Sequence, residues 1–375
     1  MKRFSYWETK HFIHHWDALI IGSGITGLTT GIFLQRKFPD WKIAILERGV
    51  LPSGASTRNA GFACFGSVSE ILDDLTTMSE KEVFGLVAKR YEGLNLLRVL
   101  LSDEQLDYKP TGGFEIFREG SDDIYRECLG SLSYINAELV QCIRRQAFKD
   151  ESNRINEFGF SDVENMIVNE LEGTVDTGLM MKNLVSLAKE SGVEIFNGID
   201  VNGLDSSGSK CILDTNIGEI FSERTIVATN GFARQLIPEV EVLPSRAQAL
   251  ITKPIKNLKW SGCFHHDRGY DYFRDIDGRV LIGGGRHLDK DVEQTDREGT
   301  SELIQNHLEK ILREVILPEH EFEVDMRWSG TMGMGNSKNY IAKQLNDRVY
   351  CAVRFGGMGV ALASSVSKSL VDLID

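Results

Sequence analysis

The stretch LIIGSGITGLTTG, residues 19–31, places four glycines directly after a short apolar run. Glycine weakens both strands and helices, so its recurrence at Gly22, Gly24, Gly27 and Gly31 needs a local reason. We interpret the apolar run as a buried strand and the glycines as the turn into a helix. A helix N-terminus offers unpaired N–H groups and a partial positive charge. The stretch therefore predicts a site where bare backbone approaches a diphosphate.

The spacing G-x-G-x-x-G gives each glycine a separate task. Gly22 permits the tight turn, Gly24 lets the backbone approach the diphosphate, and Gly27 lets the helix pack closely on the strand. A second strand follows in WKIAILER, residues 41–48, and an acid, Glu47, stands twenty residues beyond the last of these glycines. A carboxylate there accepts hydrogen bonds from both ribose hydroxyls of an adenosine and disfavours the 2′-phosphate of NADP.

This fingerprint does not decide between NAD and FAD. The segment GASTRNAGFACFG, residues 54–66, is small, polar and glycine-rich, and it carries one cation, Arg58. Such a segment can wrap a second phosphate or lie along a flavin. It can equally be a flexible surface loop that binds nothing. Its composition leaves both interpretations open.

The composition excludes several classes of function. The chain has 375 residues and a net charge of −13, from 42 basic and 55 acidic residues, which argues against a nucleic-acid partner or an anionic membrane surface. No window approaches the length of a membrane span, and the N-terminus lacks the apolar core of a signal peptide. Six scattered cysteines form no C-x-x-C pair, so we expect no metal site, no disulfide framework and a cytoplasmic location.

Helix and strand patterns recur along the chain and predict its architecture. Strand–helix–strand units at the start, in the middle and at the end indicate an α/β protein, α+β overall, with a Rossmann-like dinucleotide-binding domain. Strands between residues 243 and 330 indicate a discontinuous second domain built on an antiparallel sheet. We assign residues 1–90, 150–235 and 326–375 to the cofactor domain, and residues 91–149 and 236–325 to the substrate domain.

The order of the motifs resembles the D-amino-acid-oxidase-like family of FAD-dependent oxidoreductases, nearest its γ-glutamylputrescine oxidase and glycine/sarcosine oxidase branches. The resemblance covers nearly the whole chain. It rests on DALIIGSGITGLTTGIFL (17–34), KIAILER (42–48), GASTRNAG (54–61), GTVDTGLMMKNLVSLAKESGVEIF (173–196), TIVATNGFARQLIP (225–238), YDYFRDIDGRVLIGGGRH (270–287), RWSGTMG (327–333) and FGGMGVALASSVSKSL (355–370).

The resemblance implies an extended FAD, with Glu47 at the adenosine ribose, the 58–61 segment along the diphosphate or flavin, and the backbone of Val201 against the adenine. It implies that the 354–359 turn lies by the pyrimidine edge of the flavin. The full set of residues expected at the cofactor is Gly22, Gly24, Ile25, Thr26, Gly27, Glu47, Arg48, Ala55, Ser56, Arg58, Asn59, Ala60, Gly61, Val201, Ala228, Thr229, Gly231, Gly330, Arg354, Gly356, Gly357, Met358 and Gly359.

Two departures from the family pattern matter. Members of the sarcosine oxidase branch with covalent flavin carry a cysteine near the position of Gly330 and Thr331, and none stands there, so we expect non-covalent FAD. Sarcosine oxidases also place a carboxylate-binding lysine at the position of Ala361. Its absence weakens the amino-acid interpretation without excluding it.

The segment GYDYFRD suggests a substrate grip. Tyr270, Tyr272 and Arg274 alternate along a predicted strand and share one face, and an arginine between aromatic rings can hold a carboxylate. The alternative is a surface strand on which Arg274 pairs with Asp275 or Asp277. We expect Tyr272 and Arg274 to orient the substrate, because in the family this strand backs the substrate pocket.

The resemblance implies that the carbon beside an amine gives a hydride to flavin N5 and that the resulting imine is hydrolysed by water. The partners expected are a small amine or amino acid and an electron acceptor, dioxygen or another. Alternatives stay open: oxidation of a 2-hydroxy acid or of a modified-tRNA side chain, or a non-catalytic FAD-binding protein. Neither a Ser-His-Asp pattern nor a P-loop is present.

Overall fold

The computed structural model describes residues 4–13 and 15–375. Its strands are β1 Trp16–Ile21, β2 Ile43–Glu47, β3 Phe62–Ala63, β4 Gly113–Arg118, β5 Phe148–Asp150, β6 Val163–Asn169, β7 Gly173–Thr174, β8 Glu194–Asn197, β9 Val201–Asp205, β10 Cys211–Thr215, β11 Gly218–Val227, β12 Leu243–Thr252, β13 Cys263–His266, β14 Asp271–Ile276, β15 Arg279–Gly284, β16 Val324–Met334, β17 Ile341–Gln344 and β18 Val349–Val353. Its α-helices are α1 Tyr6–His11, α2 Ile25–Lys37, α3 Ala55–Arg58, α4 Val68–Leu75, α5 Glu80–Leu100, α6 Asp103–Leu106, α7 Asp122–Ile143, α8 Ile155–Phe158, α9 Thr177–Glu190, α10 Glu302–Ile311 and α11 Gly359–Asp372.

The first sheet has the order β17-β18-β11-β1-β2-β8, with β10 and β9 added beside the first half of β11. The pairs from β18 through β11, β1 and β2 to β8 are parallel. Every residue of β2 is buried, as a parallel strand covered on both faces requires. This sheet is the predicted Rossmann-like unit, assembled from the start, middle and end of the chain.

Helices α2 and α11 cover one face of this sheet, and α5 packs on α11 at backbone distance. A Cβ added to Gly93 of α5 would lie 1.9 Å from the carbonyl oxygen of Ala361 in α11. The ammonium of Lys37, at the end of α2, donates to the carbonyls of Val371 and Ile374. The C-terminal helix is therefore packed against the helix that follows the glycine stretch.

The second sheet has the order β16-β12-β15-β14-β13-β4-β6-β5 and is antiparallel except between β13 and β4. One face carries a cross-strand row, Phe114–Phe264–Phe273–Ile282, that is buried in an apolar core with α10. The opposite face carries polar and small residues and lies toward the first sheet. The antiparallel second sheet was predicted, and the core face explains why it is stable.

Helices α4 and α5 are separate, because Ser67 and Ser79 each form a capping box that starts a new helix. The predicted domain division assigned β6 and most of β16 to the cofactor domain, whereas both strands belong to the antiparallel sheet. These two segments correct the division; the rest of it stays a prediction.

Across the described part of the chain, no helix combines the length and the apolar character that crossing a bilayer would require.

Candidate active site

A cavity of about 540 Å³ lies between the two sheets and is lined by residues of both. Its first end is formed by the turn after β1 and the end of β2. Its other walls come from the 52–66 segment, from β12–β15 and from the turn before α11. The volume is in the range of pockets that hold a cofactor or a small ligand.

The glycine turn shapes the first end of the cavity. Gly22 has φ +103°, a conformation that other residues rarely adopt, and a Cβ there would lie 3.0 Å from the carbonyl oxygen of Ala228. A Cβ on Gly27 would lie 1.9 Å from the carbonyl oxygen of Gly22, so helix α2 contacts the strand end without any side chain between them. The N-terminus of α2 therefore opens into the cavity.

Glu47 ends β2 at the cavity wall and is 7% exposed. Its Oε2 accepts hydrogen bonds from the backbone N–H and the hydroxyl of Ser23, at 3.0 and 2.6 Å, and Oε1 accepts from the N–H of Gly49 at 2.9 Å. A carboxylate has about four lone-pair sites, so these three bonds leave room for a ribose hydroxyl. The bonds also fix the carboxylate beside the glycine turn.

The 54–66 segment is ordered by hydrogen bonds, which removes the flexible-loop alternative. Ser56 Oγ accepts the N–H of Ile25 at 3.0 Å, which ties α3 to the start of α2. The amide of Asn59 donates to Ala55 and Ser56, and its oxygen accepts from Gly61 and Thr177. The segment therefore forms a fixed wall of the cavity.

Arg58 lines the cavity, but its guanidinium ties α3 to strand β16 of the second sheet and to Glu298. Nη1 donates to the carbonyl of Ser329 at 2.8 Å, and Nη2 pairs with Glu298 at 2.8 Å. The indole N–H of Trp328 donates to the Arg58 carbonyl. These bonds direct the cation toward protein groups, so the support for a diphosphate at this end comes mainly from backbone.

The turn before α11 closes another side of the cavity. Arg354, Gly356 and Gly357 have positive φ angles of 64°, 56° and 86°, and residues 356–361 line the cavity wall. Arg354 Nε donates to the carbonyl of Asn339 and Nη1 to that of Glu241, which fixes the turn. The N-terminus of α11 thus forms a second site where negative charge is favoured.

The polar face of the antiparallel sheet forms the opposite wall. His265 pairs across the strands with Tyr272 on one side and Glu115 on the other, so the three side chains share a face. The ring of Tyr272 lies over Gly283, where a Cβ would approach it to 2.6 Å. Burial raises the pKa of Tyr272 to about 12, so its phenol stays protonated.

Two buried carboxyl groups belong to this side of the cavity: Glu172 lines it, and Glu115 lies behind the wall. Burial raises the pKa of Glu172 to about 7, although His265 and the amides of Phe65 and Gly66 favour the charged form. Burial also raises the pKa of Glu115, which is hydrogen-bonded to Ser69. Within the described residues, Nδ1 of the buried His265 has no hydrogen-bond partner. Glu172 can therefore exchange a proton near neutral pH.

Most cations near the cavity are already paired. Lys338 forms ion pairs with Asp73 and Asp74, and Arg268 lies 3.7 Å from Asp73. Arg286 lines the cavity beside Gly284, and among the described residues its guanidinium has no hydrogen bond or ion pair. Arg286 is therefore the cation available to a bound anion on this wall.

The structure brings most of the expected residues together around one cavity. Those that line it are Gly22, Gly24, Ile25, Thr26, Glu47, Arg48, Ala55, Ser56, Arg58, Asn59, Ala60, Val201, Ala228, Thr229, Tyr272, Gly330, Arg354, Gly356, Gly357, Met358 and Gly359. Gly27, Gly61 and Gly231 lie behind the wall, where an added Cβ would contact backbone oxygens at 1.9, 2.4 and 2.6 Å. These three glycines shape the cavity without lining it.

Arg274 is a correction. It is 3% exposed and does not line the cavity. Its Nη1 donates to the carbonyls of Ala60, Gly61 and Val175, and its Nε donates to the carbonyl of Asp275. The prediction that Arg274 binds the substrate is wrong, because these donors point to backbone carbonyls and not into the cavity. The surface-strand alternative is equally wrong, since the side chain is buried.

Several residues that line the cavity were not expected from the sequence. His265 and Glu172 belong to no motif, and Arg286 follows a run of glycines. Only the alternation of β13 and β14 indicated that His265 and Tyr272 face the same way, and their pairing needs the register of two strands.

The residues fit an extended dinucleotide. Two helix N-termini, of α2 and α11, open into one cavity, and the hydroxyl of Thr229 at its wall is buried without a partner among the described residues. A Cβ on Gly24 would lie 2.9 Å from Ser56 Oγ, and one on Gly330 would lie 3.1 Å from Arg58 Cβ, so both wall positions favour glycine. FAD would lie with its diphosphate at α2 and its flavin between residues 58–62 and the turn at 356–359.

Comparison with known proteins also indicates an FAD-binding oxidoreductase. The family model described as DAO, FAD dependent oxidoreductase, matches residues 17–373. Probable oxidoreductase OrdL of Rhizobium meliloti (strain 1021) is 24% identical, over 95% of this chain and 82% of that protein. Glycine oxidase of Bacillus subtilis (strain 168) is also 24% identical, over 96% of this chain and 93% of that protein.

The fold has a close counterpart among solved structures. L-proline dehydrogenase from P. horikoshii superposes with a TM-score of 0.75 at 17% identity, covering 96% of this chain and 93% of that one. The family match over nearly the whole length, together with a cavity that fits FAD, identifies the chain as a member of the DAO family of FAD-dependent oxidoreductases.

Proposed function

We propose that this enzyme oxidises the C–N bond of a small amine or amino acid to an imine, with dioxygen as the electron acceptor. The observation that carries the proposal is the continuity of the cavity. It runs from the glycine cradle of the cofactor to the wall formed by His265 and Tyr272. A substrate bound on that wall would lie in the same cavity as the flavin. The matched relatives include a glycine oxidase, and a solved structure of similar fold is an L-proline dehydrogenase.

The flavin, when bound, accepts a hydride at N5, and the protein supplies position, dryness and a proton acceptor. The substrate nitrogen must be neutral when the carbon beside it loses its hydride. We propose that Nδ1 of His265 accepts this proton, because the atom is buried, lacks a partner among the described residues and belongs to a residue of the cavity wall. Tyr272 then packs against the substrate with a protonated phenol.

Arg286 favours a substrate that carries a carboxylate, such as an amino acid. A carboxylate needs a cation with free donors. Among the described residues Arg286 has no hydrogen bond or ion pair, whereas Arg58 pairs with Glu298 and Arg274 donates to backbone carbonyls. We propose that Arg286 holds the carboxylate of an amino-acid substrate, a task first assigned to Arg274. In this proposal a bound amino acid would direct its amine toward His265 and its carboxylate toward Arg286.

An anaerobic substrate panel tests the proposal. FAD-loaded protein is mixed in the absence of dioxygen with primary amines, secondary amines, amino acids and 2-hydroxy acids, and visible flavin absorbance is followed. We expect amino acids or amines to bleach the flavin and hydroxy acids to leave it unchanged. Bleaching by hydroxy acids alone would assign the enzyme to alcohol oxidation, and no bleaching by any compound would favour a non-catalytic protein.

A second measurement addresses the acceptor. Bleached enzyme is mixed with air-saturated buffer, and both flavin recovery and hydrogen peroxide are measured. We expect the flavin absorbance to recover and about one molecule of hydrogen peroxide to form for each flavin. Slow recovery without peroxide, with rapid recovery on adding a quinone, would show that the enzyme is a dehydrogenase.

A further inference from the structure

Behind the substrate wall, outside the cavity, the fold gathers three histidines around one buried aspartate. Asp271 begins β14, His266 ends β13, His287 lies in the short helix after β15, and His307 lies in α10. Ligand atoms of Asp271, His287 and His307 all lie within 4.8 Å of one another. None of the four side chains lines the cofactor cavity. We propose that this cluster, Asp271–His266–His287–His307, binds a divalent transition-metal ion of the zinc type.

The aspartate is oriented for this task. Its Oδ1 accepts the backbone N–H of Gly285 at 2.7 Å, which leaves Oδ2 facing the histidines. Nε2 of His307 lies 2.9 Å from Oδ2, and Nε2 of His266 lies 3.8 Å from it. A carboxylate fixed by a backbone donor is the arrangement that metal sites use to aim a ligand.

A second observation, apart from the distances between ligand atoms, also points to a bound ion: His266 is buried with an unpaired nitrogen. It is 8% exposed, and among the described residues its Nε2 has no hydrogen-bond partner although it faces Asp271. Nδ1 of His287 is buried and unpartnered within the same set. Two unpaired imidazole nitrogens in one buried place carry a desolvation cost, and a bound metal ion would remove the cost for the nitrogens that it ligates.

The ligand types select the class of ion. Imidazole nitrogen and a carboxylate oxygen suit zinc and its neighbours, whereas magnesium and calcium take oxygen ligands. Tetrahedral zinc places its ligand atoms about 3.4 Å apart, so the pair formed by Asp271 and His307 must open slightly and His287 must move inward. These shifts need only side-chain movement of His287, in the short helix after β15, and of His307, on the surface of α10.

The experiment uses the FAD-loaded chain after treatment with a chelator and removal of the chelator. Zinc chloride is titrated by calorimetry, with magnesium chloride as the comparison ion. We expect one zinc ion for each chain and no magnesium binding. The variants His287→Gln and His307→Gln should each weaken zinc binding by about tenfold or more, since each removes one of few ligands. His11→Gln, an exposed histidine of α1, should bind as the parent does.

X-ray absorption on the zinc-loaded parent keeps the proposal testable if a variant fails to fold. A shell of nitrogen and oxygen neighbours with imidazole scattering supports the cluster. A sulfur neighbour at about 2.3 Å would assign the ion to cysteine and overturn the proposal. The alternative thiol site is real, because Sγ of Cys64 lies 3.6 Å from Sγ of Cys263. Failure of the parent to bind one equivalent of zinc, or unchanged affinity in both variants, would also overturn it.

Discussion

The two sides of the cavity are built in different ways. The cofactor side is made of backbone: a glycine turn, two helix N-termini and a segment held by its own hydrogen bonds. The substrate side is made of side chains on an antiparallel sheet, among them His265, Tyr272 and the buried carboxyl of Glu172. Adding atoms should therefore damage the first side, whereas changing chemistry at constant size should damage the second.

The largest effect is expected from Gly27→Val. The new side chain would collide with the Gly22 carbonyl, 1.9 Å from the Cβ position, and neither backbone segment can move. We expect the purified variant to be colourless and not to recover FAD on reconstitution. Gly54→Ala is the matched control: Gly54 lines the same cavity and a Cβ there meets nothing within 4 Å. A yellow Gly27→Val would mean that the close helix–strand contact is dispensable.

Next comes Glu172→Gln, measured as stability against pH. Burial raises the folded pKa of Glu172 to about 7 from its ordinary value of 4.5, so the folded state holds a proton that the unfolded state releases. Stability from this group is present below the unfolded pKa and is lost as pH rises to the folded pKa. The loss is about 3 kcal/mol at most.

Because Gln can accept the amide bonds of Phe65 and Gly66 without ionising, the variant should show a smaller fall in stability than the parent between pH 4.5 and 7.5. Urea unfolding at fixed FAD concentration across this range measures the difference. Parallel pH profiles in the two proteins would show that Glu172 ionises as freely in the fold as in the unfolded chain.

His265→Gln tests the proton acceptor at nearly constant size. We expect kcat/KM for an amine or amino acid to fall by about 100-fold while FAD affinity stays unchanged, since general-base catalysis contributes on that order. His11→Gln is the control for loss of an imidazole. If turnover is preserved in His265→Gln, the substrate loses its proton to water or to another group.

Arg286→Gln separates substrates with a carboxylate from those without one. The variant should raise KM for an amino acid by about tenfold, the value of one charge-assisted contact, and leave simple amines unaffected. Steady-state kinetics with an amino acid and the matching decarboxylated amine give the comparison. Equal changes for both compounds would remove Arg286 from carboxylate binding.

The smallest effect is expected from Glu47→Gln, an isosteric change on the cofactor side. The amide oxygen can still accept from Ser23 or Gly49, so FAD affinity should fall by less than about tenfold. Fluorescence titration with FAD measures it. A loss as large as that of Gly27→Val would mean that charge, and not shape, holds the cofactor on this side.

The contrast also explains which features the sequence could predict. The Gly22–Gly27 spacing and Glu47 act through local geometry, and local geometry leaves a motif in the sequence. His265 and Arg286 act through the register of β13–β15, which depends on long-range pairing that a single sequence does not display. Arg274 was misassigned for the same reason: alternation gave its face correctly, but its carbonyl partners come from residues 60, 61 and 175. The proposed metal cluster takes its residues from four separate elements, so no regular spacing of ligand residues in the sequence indicates it.

That same arginine couples the two sides mechanically. The guanidinium on β14 donates to the carbonyls of Ala60 and Gly61, so the strand that carries Tyr272 is tied directly to the 60–61 segment. In the proposed reaction this tie would keep the substrate wall and the flavin at a constant spacing. Substitutions elsewhere on the wall would then alter substrate choice without altering that spacing.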